Sequence, residues 1–314
     1  MTGAVIRMGI VGLDTSHVGA FTKIFHAPNA DEDLQKIRVV AGLPAGNPDF
    51  PLSRDRIAGF TDELRQLGVE IVDSMAELLA KVDVVMLASV DGSQHLQQAK
   101  PIFESGKPVF IDKPLAASLT DALAIYKLGK KHQVPWFSSS SSRFTPGYLP
   151  LRDDAQRVGR VLGCDVYSQN RATTGHPDLF WYSIHGIELL YAIMGQGCTS
   201  VSMIQTPYTE LVRGTWKDGR VGVYRSIREE TGKAGVGVTV FGDVGIVHHN
   251  QFYDYVPMCH ELAKFFTCLQ PPVANDETLE IIAFMAAATQ SKLRDGAQVS
   301  LAEVILQAER HGNL

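Results

Sequence analysis

The stretch Val5-Ile6-Arg7-Met8-Gly9-Ile10-Val11-Gly12-Leu13-Asp14-Thr15-Ser16-His17-Val18 reads as an apolar strand, a glycine turn and the start of a helix. The pattern then repeats. Further β-branched runs at 37–41, 69–72, 82–88, 109–111 and 134–137 alternate with helical patterns at 54–67, 75–81, 94–104 and 120–132. Val82-Asp83-Val84-Val85-Met86-Leu87 is almost continuously apolar, as suits a strand covered on both faces. Strand–helix alternation with short links specifies right-handed βαβ units, and so a doubly wound parallel sheet. The fold class expected is therefore α/β over the first half of the chain.

The rhythm changes after Ser138-Ser139-Ser140-Ser141-Ser142. A serine run alone would read as a flexible linker. Here it follows an apolar strand and precedes Arg143-Phe144-Thr145-Pro146, which favours a strand end where the chain crosses between domains. Beyond it the strands lengthen and pair through turns. Trp216-Lys217-Asp218-Gly219-Arg220 sets Asp-Gly between two runs, a hairpin signal, with Val221, Val223 and Ile227 on one face of the next strand. The runs 235–241 and 244–249 form another pair around Gly242-Asp243. Helical patterns at 182–194, 258–269, 279–294 and 301–310 accompany them. The second half reads as an α+β domain with a large open, mainly antiparallel sheet, giving domains at 1–142 and 143–314.

Composition bounds the function. The 314 residues are 45% hydrophobic and 20% charged, which suits a packed globular protein. Lys+Arg 29 against Asp+Glu 34 gives −5 with the signs interspersed, which excludes a basic nucleic-acid footprint. No apolar run approaches the roughly 20 residues of a membrane helix. Met1 leads directly toward a strand, so no secretory leader is expected. Cys164, Cys198, Cys259 and Cys268 lie far apart and read as small core residues in a reducing compartment. These features point to a soluble, cytoplasmic, two-domain protein without nucleic-acid or membrane partners.

The opening stretch sits where the phosphate loop of a Rossmann dinucleotide-binding domain belongs. A full fingerprint would place glycines at 12, 14 and 17, but the chain has Gly12, Asp14 and His17. A carboxylate at the second position adds bulk and negative charge where a pyrophosphate approaches. Ala41-Gly42-Leu43-Pro44, at the end of the second strand, offers neither an acid for a ribose nor an arginine for a 2′-phosphate. Two readings stand: Gly12, Leu13, Asp14, Thr15, Ser16 and His17 line a dinucleotide, or Asp14, Thr15 or Ser16 caps the helix while His17 packs in its first turn.

Two further segments carry a family likeness. Glu104-Ser105-Gly106-Lys107-Pro108-Val109-Phe110-Ile111-Asp112-Lys113-Pro114-Leu115-Ala116 resembles the AGKHVxxEKPLA segment of the Gfo/Idh/MocA family, with Asp112 for the usual Glu. Ser89-Val90-Asp91-Gly92-Ser93-Gln94-His95 is similar to the family loop after the fourth strand, and Arg143-Phe144-Thr145-Pro146 to its Arg-Phe-x-Pro. The resemblance implies a dehydrogenase using NAD or NADP on a sugar or polyol hydroxyl, with Ser89, Asp91, His95, Asp112, Lys113 and Pro114 at the cofactor. It gives Lys113 the task of stabilising a developing alkoxide.

The family's second element is an Asp-x-x-x-His helix whose histidine is the general base. Here His185 matches the histidine, Trp181 stands in place of the aspartate, and Glu188 is the expected orienter of the ring. Trp181 would offer a platform to a sugar ring. Arg143, His176 and Tyr182 are the other candidate substrate contacts, although Arg143 could equally pin the domain crossing. His248 and His249 point to opposite faces of a strand, so no metal is assigned. An open sheet face implies a homo-oligomer, dimer or tetramer. Two other functions fit the same residues: cofactor-assisted glycoside elimination or hydrolysis without net redox change, and ligand sensing without catalysis.

Overall fold

The computed structural model describes residues 5–170, 179–228, 235–251 and 254–312. They form two compact units. The first holds residues 1–116, 121–139 and 255–275, and the second 117–120, 140–254 and 276–314. The break between Ser139 and Ser140 lies close to the expected 142/143. The segment 255–275, assigned from the sequence to the second domain, belongs to the first unit.

The first unit is built on six parallel strands in the order β3-β2-β1-β4-β5-β6. They are β1 (Ile6–Val11), β2 (Ile37–Leu43), β3 (Glu70–Ile71), β4 (Val84–Leu87), β5 (Val109–Asp112) and β6 (Trp136–Ser139). Helices α1 (Ser16–Phe25), α2 (Pro51–Gln66), α3 (Met75–Lys81), α4 (His95–Glu104) and α5 (Leu119–His132) form the crossovers. Every residue of β4, β5 and β6 is buried, as a central parallel strand requires. The order reverses beside β1, and ligands bind such sheets at the carboxyl ends of the strands near that point. Helix α7 (Val256–Cys268) returns from the far part of the chain and packs on α1. Phe265 meets Phe137 of β6 edge-on at 4.9 Å, which explains why the strand rhythm alone misses this helix's allegiance.

The second unit carries a seven-stranded sheet in the order β12-β11-β7-β10-β9-β8-β13. Its strands are β7 (Val161–Asn170), β8 (Cys198–Gln205), β9 (Thr209–Trp216), β10 (Val221–Arg228), β11 (Val236–Gly242), β12 (Ile246–His249) and β13 (Val299–Ser300). All pairings are antiparallel except β10 with β7. The Asp218-Gly219 hairpin joins β9 to β10 as expected, with Gly219 at φ 87°. Gly222, Tyr224 and Ser226 form the buried face of β10, so Val221 and Val223 lie on its outer side. Helices α6 (Ile184–Met194), α8 (Asn275–Leu293) and α9 (Leu301–His311) complete the chain. Helix α6 packs against β7 and β10. Gly186 is what permits that approach, since a Cβ there would lie 2.2 Å from the Tyr224 ring. Of the four thiols, Cys164, Cys198 and Cys259 are buried as expected, whereas Cys268 at the end of α7 is exposed. No helix among the described residues is long and apolar enough to cross a membrane.

Candidate active site

In the first unit the candidate cofactor residues converge where β1, β4 and β5 end. Gly12, at φ 90°, turns the chain against the loop after β4, and a Cβ there would fall 2.3 Å from the Ser89 amide nitrogen. Asp14 does not point outward. Its carboxylate is fully buried, accepting from Ser53 Oγ at 2.6 Å and from the Val90 amide at 2.9 Å. Burial pushes the Asp14 carboxyl above the ordinary range, while those bonds and the charge of His95 oppose the shift. The negative charge that made the fingerprint look unsuitable is thus spent inside the protein, tying the first loop to α2 and to the loop after β4.

His17, at the third fingerprint position, is taken up in the same way. Its Nδ1 lies 2.6 Å from Asp112 Oδ2, and its ring stacks on Phe21 and meets Tyr255 edge-on. Burial opposes charge on Asp112, but His17, Lys113 and the Lys113 amide hold its carboxyl below the usual range. None of the three candidate caps bonds the helix start, although His17 does pack in its first turn. Thr15 occupies the cap position without a side-chain bond, and Asp14 is committed elsewhere. Ser16 is exposed at the start of α1, and the uncapped amides of this first turn suit an anionic phosphate.

The remaining candidates in this unit divide between scaffold and contact. His95 is fully buried, its ring nitrogens against the carbonyl oxygens of Ser89 at 2.8 Å and Leu115 at 3.1 Å. Its side chain therefore fixes the loops after β4 and β5 and does not meet a ligand. Asp91 accepts from the Ser93 amide and from Asn47 Nδ2 at 2.6 Å. Leu13, Ser89 and Pro114 are buried beside them. Lys113 follows β5 and is half-buried, and burial lowers its pKa from the ordinary lysine value while Asp112 partly restores it. Ser53 and Asn47 were not legible as site residues, because each is recruited by a partner about 40 positions away.

In the second unit His185 stands in the first turn of α6, half-buried. Its Nδ1 shares a hydrogen bond with Ser140 Oγ at 2.6 Å, the donor set by the ring's tautomer. Glu188, expected to orient this ring, instead accepts from Arg143 Nη1 at 2.9 Å, and Arg143 Nη2 donates to Glu277. Arg143 is 5% exposed, so this guanidinium pins the start of the second unit and is not open to substrate. Burial disfavours its charge, but the two glutamates more than compensate and raise its pKa. Trp181 is buried, which leaves little ring face for a sugar, and half-buried Tyr182 sets its ring edge-on to His185 with centroids 5.4 Å apart. His176 lies outside the described residues.

Known proteins share both the sequence pattern and the topology. Residues 6–139 match the model of the family described as oxidoreductase family, NAD-binding Rossmann fold (Gfo/Idh/MocA). Inositol 2-dehydrogenase of Rhodococcus erythropolis is 28% identical over 258 residues, 78% of this chain and 66% of that protein. Myo-inositol dehydrogenase Hyg17 of Streptomyces leeuwenhoekii is 31% identical over 93 residues, 29% of each chain. The matched regions thus span less than two thirds of these relatives. Scyllo-inositol dehydrogenase from Lactobacillus casei, solved with NAD(H) and scyllo-inositol, superposes with a TM-score of 0.76 over 95% of this chain and 99% of its own at 17% identity, which shows a shared fold. The glycine loop and the Asp112-Lys113-Pro114 strand end both lie inside residues 6–139, the part of the chain that matches the Gfo/Idh/MocA NAD-binding Rossmann model.

Proposed function

We propose that this protein is an NAD- or NADP-dependent dehydrogenase acting on a secondary hydroxyl of a cyclic polyol or sugar. The observation that carries the reading is Lys113, a half-buried ammonium at the carboxyl end of β5 beside the uncapped first turn of α1's loop region. The inward turn of Asp14 supports it, since the loop then presents backbone and not carboxylate to a phosphate. The naming of relatives as inositol dehydrogenases supports a polyol as the substrate class.

The Gly12–His17 turn and the start of α1 would hold the dinucleotide phosphates, with Asp112, Lys113 and Pro114 toward its reactive end. When bound, the nicotinamide accepts the hydride that leaves the substrate carbon. Lys113 Nζ would stabilise the oxygen as it loses its proton, a placed cation whose removal typically costs about 10²–10³ in rate. His185 would take that proton at Nε2, its Nδ1 side being occupied by Ser140. Asp112 keeps Lys113 in register by accepting its amide proton at 2.8 Å.

The outer face of the second sheet supports a homo-oligomer, with Ile204 61% and Ile246 67% exposed. Sedimentation of the full chain would show a dimer or tetramer. The activity is tested by following reduced-nicotinamide absorbance with NAD+ and NADP+ against a panel of inositols, pyranoses and glycosides. Stoichiometric reduction with a polyol or sugar is expected. Glycoside cleavage without accumulation of reduced cofactor would replace this reading with a redox-neutral one.

A further inference from the structure

We infer that Ser140 is the positioning residue for His185, doing with a hydroxyl what an aspartate on the same helix face would do with a charge. The inference rests on the reading of His185 as proton carrier. Position 181, one helical turn before His185, holds tryptophan, and the nearby acid Glu188 is engaged by Arg143. Ser140 comes from a different element, the middle of the serine run just after β6, and reaches Nδ1 at 2.6 Å. It is fully buried and its oxygen already accepts the Ser142 amide at 3.1 Å, so the hydroxyl is anchored at the start of a short 3-10 turn spanning Ser141–Phe144. That turn packs on α6.

The chemistry of a hydroxyl differs from that of a carboxylate in two respects. A carboxylate only accepts, so it fixes one tautomer and stabilises the imidazolium by charge. A serine both donates and accepts. With the neutral ring carrying its proton on Nε2, Ser140 donates to Nδ1. With Nδ1 carrying it, or with both nitrogens protonated, the same oxygen accepts from Nδ1–H. With Nε2 as the proton acceptor, Nδ1–H donates to Ser140 both before and after the transfer, so the ring is held throughout without moving a heavy atom. Ser140 contributes no charge, and among the described residues Arg143 pairs with Glu188 and Glu277. Tyr182 meets the ring edge-on and holds its tilt.

The test combines nitrogen-15 imidazole spectra of the full chain across pH with steady-state kinetics. The variants are Ser140→Ala, Ser140→Thr and Ser140→Asp, with His185→Gln to identify the signal. Ser140→Ala is expected to move the His185 Nδ1 and Nε2 resonances toward a tautomer average and to lower kcat about tenfold, the worth of one hydrogen bond, with KM within about twofold. Ser140→Thr restores both. Ser140→Asp raises the midpoint of the His185 titration by roughly one pH unit or more. Should that variant fail to fold, the alanine and threonine pair still decides. Identical His185 resonances in the wild type and Ser140→Ala would overturn the assignment. If the resonances move as expected but no polyol or sugar is turned over, the positioning role stands and the proposed activity falls.

Discussion

The loop between β1 and α1 and the first turn of α6 both depart from the motifs of the family they resemble, and the molecule handles the two departures in opposite ways. In the loop, residues too many appear: a carboxylate and an imidazole where glycines are usual. Asp14 and His17 are absorbed by Ser53, the Val90 amide and Asp112, so the surface left for a phosphate remains backbone. In α6 a residue is missing, and the vacancy at Nδ1 of His185 is filled by Ser140 from another element. A motif position is therefore a poor guide to what a site lacks. What matters is whether long-range partners neutralise the intruder or supply the absentee.

The strongest way to break this contrast is to remove the proton carrier. His185→Gln should lower kcat by about 10²–10⁴ while leaving dinucleotide affinity unchanged in calorimetry. A drop below threefold would make the α6 histidine structural. Next in size, Lys113→Ala should cost about 10²–10³ in kcat. Burial lowers the Lys113 pKa, so the required cation is lost as pH rises through that lowered value. The alkaline limb of the rate profile should accordingly fall below the ordinary lysine range, and Lys113→Arg, which stays charged, should move it upward.

Asp14→Ala sharpens the other half of the comparison. It strands the Ser53 hydroxyl and the Val90 amide in the interior, so thermal or urea unfolding should show a loss of about 1–3 kcal/mol. Dinucleotide affinity should change by less than about threefold. A tenfold gain on removing the carboxylate would mean that it faces the phosphate after all.

The smallest effect concerns His26, just beyond α1. Its Nε2 accepts the Val39 amide at 3.1 Å, and burial, with the charge of Arg38, lowers its pKa. A depressed histidine stabilises the fold above its unfolded value of about 6.5, and that contribution is lost as pH falls through the folded value. Unfolding free energy should decline with acidification over that window, with a shallower slope in His26→Gln.

Much of the fold was legible because its causes are local. The continuous apolar run before Leu87 and the Asp218-Gly219 turn each specify their own conformation, and both appear where the pattern puts them. The allegiance of α7 was not legible, since Phe265 packs on Phe137 across more than a hundred residues of intervening chain. Among the candidate residues of each unit, Lys113 and His185 carry motif context and could be named. Ser140 could not, because nothing distinguishes one serine in a run of five until the strand ends and the 3-10 turn fixes its hydroxyl. The pinning role of Arg143 was one of its two readings, but its partners Glu188 and Glu277 were hidden, as Glu277 arrives from α8.

The central claim is that a loop holding Asp14 and His17 still accepts a dinucleotide, and titration calorimetry of the full chain with NAD+, NADH, NADP+ and NADPH tests it most directly. Saturable one-to-one binding of at least one of the four at micromolar concentration is the predicted result. No heat from any of them up to millimolar concentration, with a folded protein in the cell, would contradict it.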